Sequence, residues 1–162
     1  MITRMKNSIR WLFVFLFAFT AFAWAGGDKK IPQVSFHVET EMNDNPKMIF
    51  PYEFLGKQRY FRRMPELASK DFMAFTPFPS EDQTSYGIII QLRESSGKRL
   101  TAVTTANQGK LLVCQAFGRV VDAVMIDQPV NDRVILIWKG LTLDEIRELD
   151  KAMPRIGDKK KE

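Results

Sequence analysis

The chain has 162 residues, 45% of them hydrophobic and 27% charged, with a formal net charge of +5. That charge belongs to the ends: Arg4, Lys6, Arg10 and the tails at 28–30 and 158–162 carry it, and residues 31–157 balance to zero, which leaves no electrostatic footprint for nucleic acid. A single cysteine, Cys114, excludes an intramolecular disulfide, so an ordinary one-domain length must rest on its core.

Arg4, Lys6 and Arg10 precede an uncharged run from Trp11 to Ala23, and Ala23-Trp24-Ala25 sets small residues at the two positions a signal peptidase reads. Together these describe a secretory signal peptide cleaved after Ala25. The alternative is a retained anchor, but a spanning helix needs about 20 apolar residues, more than the run supplies. No Cys follows the run to carry a lipid. Residues 26–32 read as a linker, 33–157 as a single domain and 158–162 as a charged tail. The expected location is periplasmic or secreted, with no membrane contact after cleavage.

Val34 to Glu39 alternates apolar and polar residues, the period of a strand. Glu41 to Lys47 has loop chemistry. Met48 to Phe54 and Arg59 to Met64 predict two short strands around a hairpin at Gly56-Lys57. Phe72 to Phe78 is an aromatic-rich strand that Pro77 and Pro79 should end, and Ser80 to Thr84 is loop. Tyr86 to Arg93 is a buried strand. Ser95 and Ser96 offer N-cap oxygens for a helix over Lys98 to Asn107, which Gly109 closes. Three strands follow, Lys110 to Phe117, Arg119 to Asp127 and Val134 to Lys139, separated by Gly118 and by a turn at Pro129 to Arg133. Beyond Gly140, Thr142 and Glu145 have capping-box spacing. Leu143, Ile146, Leu149 and Met153 then recur at helical spacing until Pro154. The order predicts an α+β domain, a mainly antiparallel sheet with helices packed on one face.

Between Tyr86 and Asp150 several motifs occur in a fixed order. They are Ile88-Ile89-Ile90-Gln91-Leu92 before Gly97-Lys98-Arg99-Leu100, Thr104 with Asn107 and Gly109-Lys110, Gly118-Arg119-Val120-Val121-Asp122-Ala123, Ile126 with Pro129-Val130, and Ile137 with Gly140 and Leu141-Thr142-Leu143-Asp144-Glu145. In that order they resemble the head of the first periplasmic domain of SecD, a subunit of the SecDF preprotein translocase. The family usually has Ala-Pro where Ala123-Val124 stands here, and Gly near Arg133. Residues 33–80 align with no part of the family. The resemblance implies a domain that contacts unfolded polypeptide or an envelope protein outside the membrane, and it assigns no contact residue. The family's ion-coupled translocation needs a membrane bundle, which is not expected after residue 25. As residues, Thr104, Asn107, Gly109, Gly118 and Pro129 are of the types that close helices and shape turns.

Catalytic chemistry has few candidates. His37 is the sole histidine; its alternation with Phe36 and Val38 points it to the opposite, more polar side of its strand. One His and one Cys fall short of the common zinc patterns, no nucleotide or nucleophile-elbow motif occurs, and no cofactor is expected. Asp144, Glu145, Glu148 and Asp150 lie on an amphipathic helix beside Arg147 and Lys151, the pattern of a solvated face. Asp122 and Asp127 are the rival acid–base pair, and Cys114 in Leu111-Leu112-Val113-Cys114 is a core thiol. The expectation is a non-enzymatic binding domain. Its rivals are a self-assembling envelope component and an acid–base hydrolase. The unaligned half holds the one feature beyond core packing, aromatic residues interleaved with arginine, a mixture that favours protein contacts. Phe50, Tyr52, Arg59, Tyr60, Arg62 and Arg63 are accordingly the candidate partner-binding residues.

Overall fold

A computed structural model describes residues 32–158. The proposed signal peptide, most of the linker and the last four residues of the tail lie outside the described residues. Nine strands and two helices follow in order: β1 Val34–Thr40, β2 Ile49–Phe54, β3 Lys57–Arg62, β4 Leu67–Ala68, β5 Phe72–Pro79, β6 Tyr86–Leu92, α1 Glu94–Ala106, β7 Leu111–Ala116, β8 Arg119–Met125, β9 Val134–Leu141 and α2 Leu143–Ala152. The fold is α+β and mainly antiparallel, as expected. Its strands divide between two sheets rather than filling one, in the orders β2-β3-β1-β7-β8 (with β4 on β1) and β5-β6-β9.

Strand alternation in β1 and β7 builds two apolar layers on opposite faces. Val34, Phe36 and Val38 with Leu112, Cys114 and Ala116 face the main core. There they meet Phe75, Ile88, Ile90 and Leu92 of the second sheet, Leu100 of α1, and Ile146 and Leu149 of α2. Leu111 and Val113 face the other way and are covered by Phe61, with Phe50, Tyr52 and Phe54 around it. Cys114 is 2% exposed, and burial pushes its thiol well above the ordinary cysteine range, as a core thiol requires.

Local signals and structure part company at several points. Leu55 and Gly56, both at positive φ, make the β2–β3 turn, one residue earlier than Gly56-Lys57, and such mirror-image turns match the strand twist. Pro77 does not end β5, which runs through it against β6 and stops at Pro79. α1 begins at Glu94 with Arg93 as its N-cap, so neither Ser95 nor Ser96 caps it; Ser96 is buried and its Oγ donates to Asp71 at 2.9 Å. Gly140 lies inside β9. The α2 capping box forms as spaced: Thr142 Oγ1 accepts from Glu145 N, and Glu145 Oε2 accepts from Thr142 N at 2.8 Å. No described helix is long and apolar enough to cross a membrane.

Candidate functional site: the aromatic hairpin and the β8–β9 seam

Cross-strand pairing sorts the six candidate residues. Phe50 stands opposite Phe61, and Tyr52 opposite Arg59, so these share the inner face of the hairpin; Tyr60 opposite Pro51 and Arg62 opposite Ile49 take the outer face. Inner rings stack in a row: His37 to Phe50 at 5.3 Å edge-on, Phe50 to Phe61 at 5.8 Å, and Tyr52 to Phe61 at 6.4 Å. Arg59 Nη1 donates to Glu39 Oε1 at 2.8 Å, while Glu39 Oε2 accepts from Leu111 N at 2.9 Å. Arg62 pairs with Glu66 at 3.3 Å. Arg63 is exposed just past β3 and, with Lys70, Ser35 and Gln115, borders a groove of about 470 Å³. The six residues are therefore neighbours in the fold without forming one patch. Phe50, Tyr52 and Arg59 pack inward, and Tyr60, Arg62 and Arg63 point to other surroundings.

His37 sits on the face opposite Phe36, but that face is not polar: the hairpin covers it, leaving His37 4% exposed. Its Nδ1 lies 2.8 Å from Arg62 O and its Nε2 2.8 Å from Ser35 Oγ. A carbonyl only accepts, so Nδ1 carries the proton and Nε2 accepts from the Ser35 hydroxyl. Burial holds the imidazole below its ordinary pKa, against the Arg62 carbonyl and the Glu66 charge, which raise it. A neutral imidazole, satisfied on both nitrogens, ties the hairpin to β1.

The other acid–base candidates separate. Asp127 lies beyond the end of β8 at Met125 and is exposed. Asp122 Oδ1 accepts from Ala123 N at 2.9 Å and Oδ2 from Trp138 N at 2.7 Å. One carboxylate thus clips the facing edges of β8 and β9, a structural use of both oxygens. Trp138, 56% exposed, packs edge-on against Phe78 at 6.3 Å. In the sequence this Trp is marked only by its place after Ile137, near the end of an apolar strand. Among the described residues no group of three His, Cys, Asp or Glu side chains is placed to hold a metal ion.

This two-sheet α+β arrangement is one that solved structures share. A structure of SecDF, a membrane component that enhances protein export, matches with a TM-score of 0.54 at 18% identity, covering 76% of this chain and 63% of that one. A crystal structure of SecDF in a super-membrane-facing form matches with a TM-score of 0.52 at 18% identity, covering 76% of this chain and 19% of that one. The chain thus spans less than two-thirds of the first and about a fifth of the second. No family model and no curated protein matches the chain. The likeness is one of fold. It is also wider than the motifs from Tyr86 to Asp150, since 76% coverage takes in much of the first half, where no motif aligned.

Proposed function

We propose that this chain is an exported, non-enzymatic binding domain that engages polypeptide or an envelope protein outside the cytoplasm, in the manner of the SecD head. The fold likeness to SecDF carries the reading. Export is supported by the charged flank, apolar run and Ala-Trp-Ala exit of the first 25 residues. The absence of a reaction is supported by the structural uses of His37 and Asp122. The partner-facing candidates are Tyr60, Arg62 and Arg63 on the outside of the hairpin, with Phe50, Tyr52 and Arg59 as the packing that holds them. Photo-crosslinkers placed at Tyr60 and Arg63 in living cells test it. Adducts with exported polypeptides or with one defined envelope protein are the expected result, and crosslinking that recovers no protein partner would overturn it. N-terminal sequencing that finds Gly26 first would establish the cleavage, whereas Met1 would establish the anchor.

A further inference from the structure

Besides the two-residue β4 beside β1, the two sheets leave four edges, β2 and β8 on one and β5 and β9 on the other. The β2 edge carries Pro51 in its middle and Glu53 beside it, features that blunt an edge against pairing. The β5 edge is met at Phe75 by this chain's own residues 154–156, and carries Pro77 and Pro79 beyond it: Phe75 N donates to Pro154 O at 3.1 Å, and Ile156 N to Phe75 O at 2.9 Å. Edges β8 and β9 face each other without forming a ladder.

The seam between them is closed at one end. There a Cβ on Gly140 would lie 2.5 Å from Val121 O, Arg119 Nη2 donates to Gly140 O at 2.8 Å, and Asp122 makes its clip. Toward Met125 and Leu136 the seam opens into a cavity of about 390 Å³ walled by Leu100, Leu112, Val124 and Ile135 among others. Asp127 is the one charged residue on that wall among the described residues. Met125 and Trp138, 63% and 56% exposed, stand at its mouth.

Main chains in an antiparallel strand turn alternately to the two sides. Trp138 N–H is directed at β8, so Leu136 turns the same way. Val121 O approaches Gly140, so Ala123 and Met125 turn toward β9. Ala123 N is capped by Asp122, and Val134 N by Asp132 at 3.0 Å. Among the described residues no side chain caps the main chain of Leu136 or Met125.

We propose that the open end of this seam binds an extended polypeptide, whose main chain pairs at Leu136 and Met125 while one bulky apolar side chain enters the slot. The proposal rests on the polypeptide-binding reading above and locates it. An apolar slot alone suits an acyl chain equally well, but main-chain donors and acceptors along its lip complement another extended backbone. The nearly uncharged wall selects an apolar side chain, and a few hundred Å³ accommodates one. Residues 154–156 pair main chain to main chain with β5 at the single position Phe75.

The probe is a ten-residue peptide of alternating threonine and valine around a central phenylalanine, titrated into ¹⁵N-labelled protein as recovered from expressing cells. Saturable amide shifts at Ala123–Met125 and Leu136–Trp138 are expected. Methylating alternate amides of the peptide should weaken binding at least about tenfold, since it removes the donors through which the peptide main chain pairs. Met125→Pro should do the same, and Met125→Ala should not. Equal binding by the methylated peptide, or by a dodecyl surfactant below its micelle concentration, would overturn strand pairing. Shifts confined to the β2–β3 hairpin would overturn this site and leave the wider reading standing. Failure of the peptide to bind, with in-cell crosslinks to polypeptide still seen, would do likewise; failure of both would remove both.

Discussion

Asp71 joins the two halves of the chain. It is 7% exposed, and its carboxylate accepts from Ala68 N at 2.8 Å and Ser96 Oγ at 2.9 Å while pairing with Arg99 of α1. Burial raises its pKa, but the bonds from Ala68, Ser96 and Arg99 outweigh that and hold it below the ordinary aspartate value. Asp71→Ala leaves those donors unpaired and should cost about 3 kcal/mol in urea unfolding; Asp71→Asn, which keeps one acceptor, should cost roughly half as much. His37 gives a second test. Its folded pKa is lowered, so the unfolded chain binds more protons as pH falls. The stability it contributes is therefore full above about 6.5 and lost below it, with a slope of at most about 1.4 kcal/mol per pH unit. Unfolding midpoints between pH 7 and 5 should fall in the native chain and fall less in His37→Gln. Leu55 is a third case: at φ 51 and 87% exposed, it holds a left-handed turn position with nothing to pack. Leu55→Asn should raise stability by about 1 kcal/mol in the same assay. These roles were largely illegible in the sequence, because Ser96 finds Asp71 25 residues away and His37 finds Arg62 at the same separation. A serine before a helix signals a cap only when no tertiary acceptor competes for it.

Elements were legible where their determinants are local. The α2 capping box joins residues three apart, so four letters of sequence contain it. The β7–β8 turn at Phe117-Gly118 has both residues at positive φ and is marked by its glycine. What escaped is where strands stop pairing: nothing in Arg119–Asp127 or Val134–Lys139 says that β8 and β9 belong to different sheets. The Trp138 N–H that a ladder would use goes instead to the Asp122 carboxylate, and Gly140 approaches Val121 O, contacts formed across many residues of chain. Gly140 and Gly118 separate the two demands on a glycine. Both have positive φ, at 95° and 81°, but a Cβ meets open space at Gly118 and the Val121 carbonyl at Gly140. Gly118→Ala should therefore cost about 1–2 kcal/mol from backbone strain alone, and Gly140→Ala about 2 kcal/mol more as the seam is forced apart. Denaturant midpoints measure both, and equal losses would show that the narrow end of the seam is not tightly held. The aromatic hairpin was legible as a pair of strands but not as a site. Composition grouped Phe50, Tyr52, Arg59, Tyr60, Arg62 and Arg63, whereas the turn at Leu55-Gly56 sets a register that sends half of them inward.

At the scale of the whole molecule, the chain has two apolar layers of unequal size on either side of β1 and β7. The larger joins both sheets and both helices, so losing it should unfold everything. The smaller is Phe61, Leu111 and Val113 beneath the hairpin, and only β2 and β3 depend on it wholly. Unequal layers predict unequal opening, since regions with few buried contacts open at lower free energy than the core. Phe61 is fully buried, and Phe61→Ala should remove about 3–5 kcal/mol of burial and packing. If the hairpin is a separable unit, amide exchange in Ile49–Arg62 should accelerate by that full amount while Ile88–Leu92 and Leu111–Ala116 keep their protection. Leu149→Ala, in the larger layer, should instead lower protection in β1, β6, β7 and α2 together. Uniform loss of protection in Phe61→Ala would mean that Glu39, bonded to both Arg59 and Leu111, couples hairpin and core into one cooperative unit. The distinction bears on binding as well. A hairpin that opens alone exposes Phe50, Tyr52 and Phe61 beside Arg59 without loss of the fold, and would place its aromatic face within reach of a passing chain.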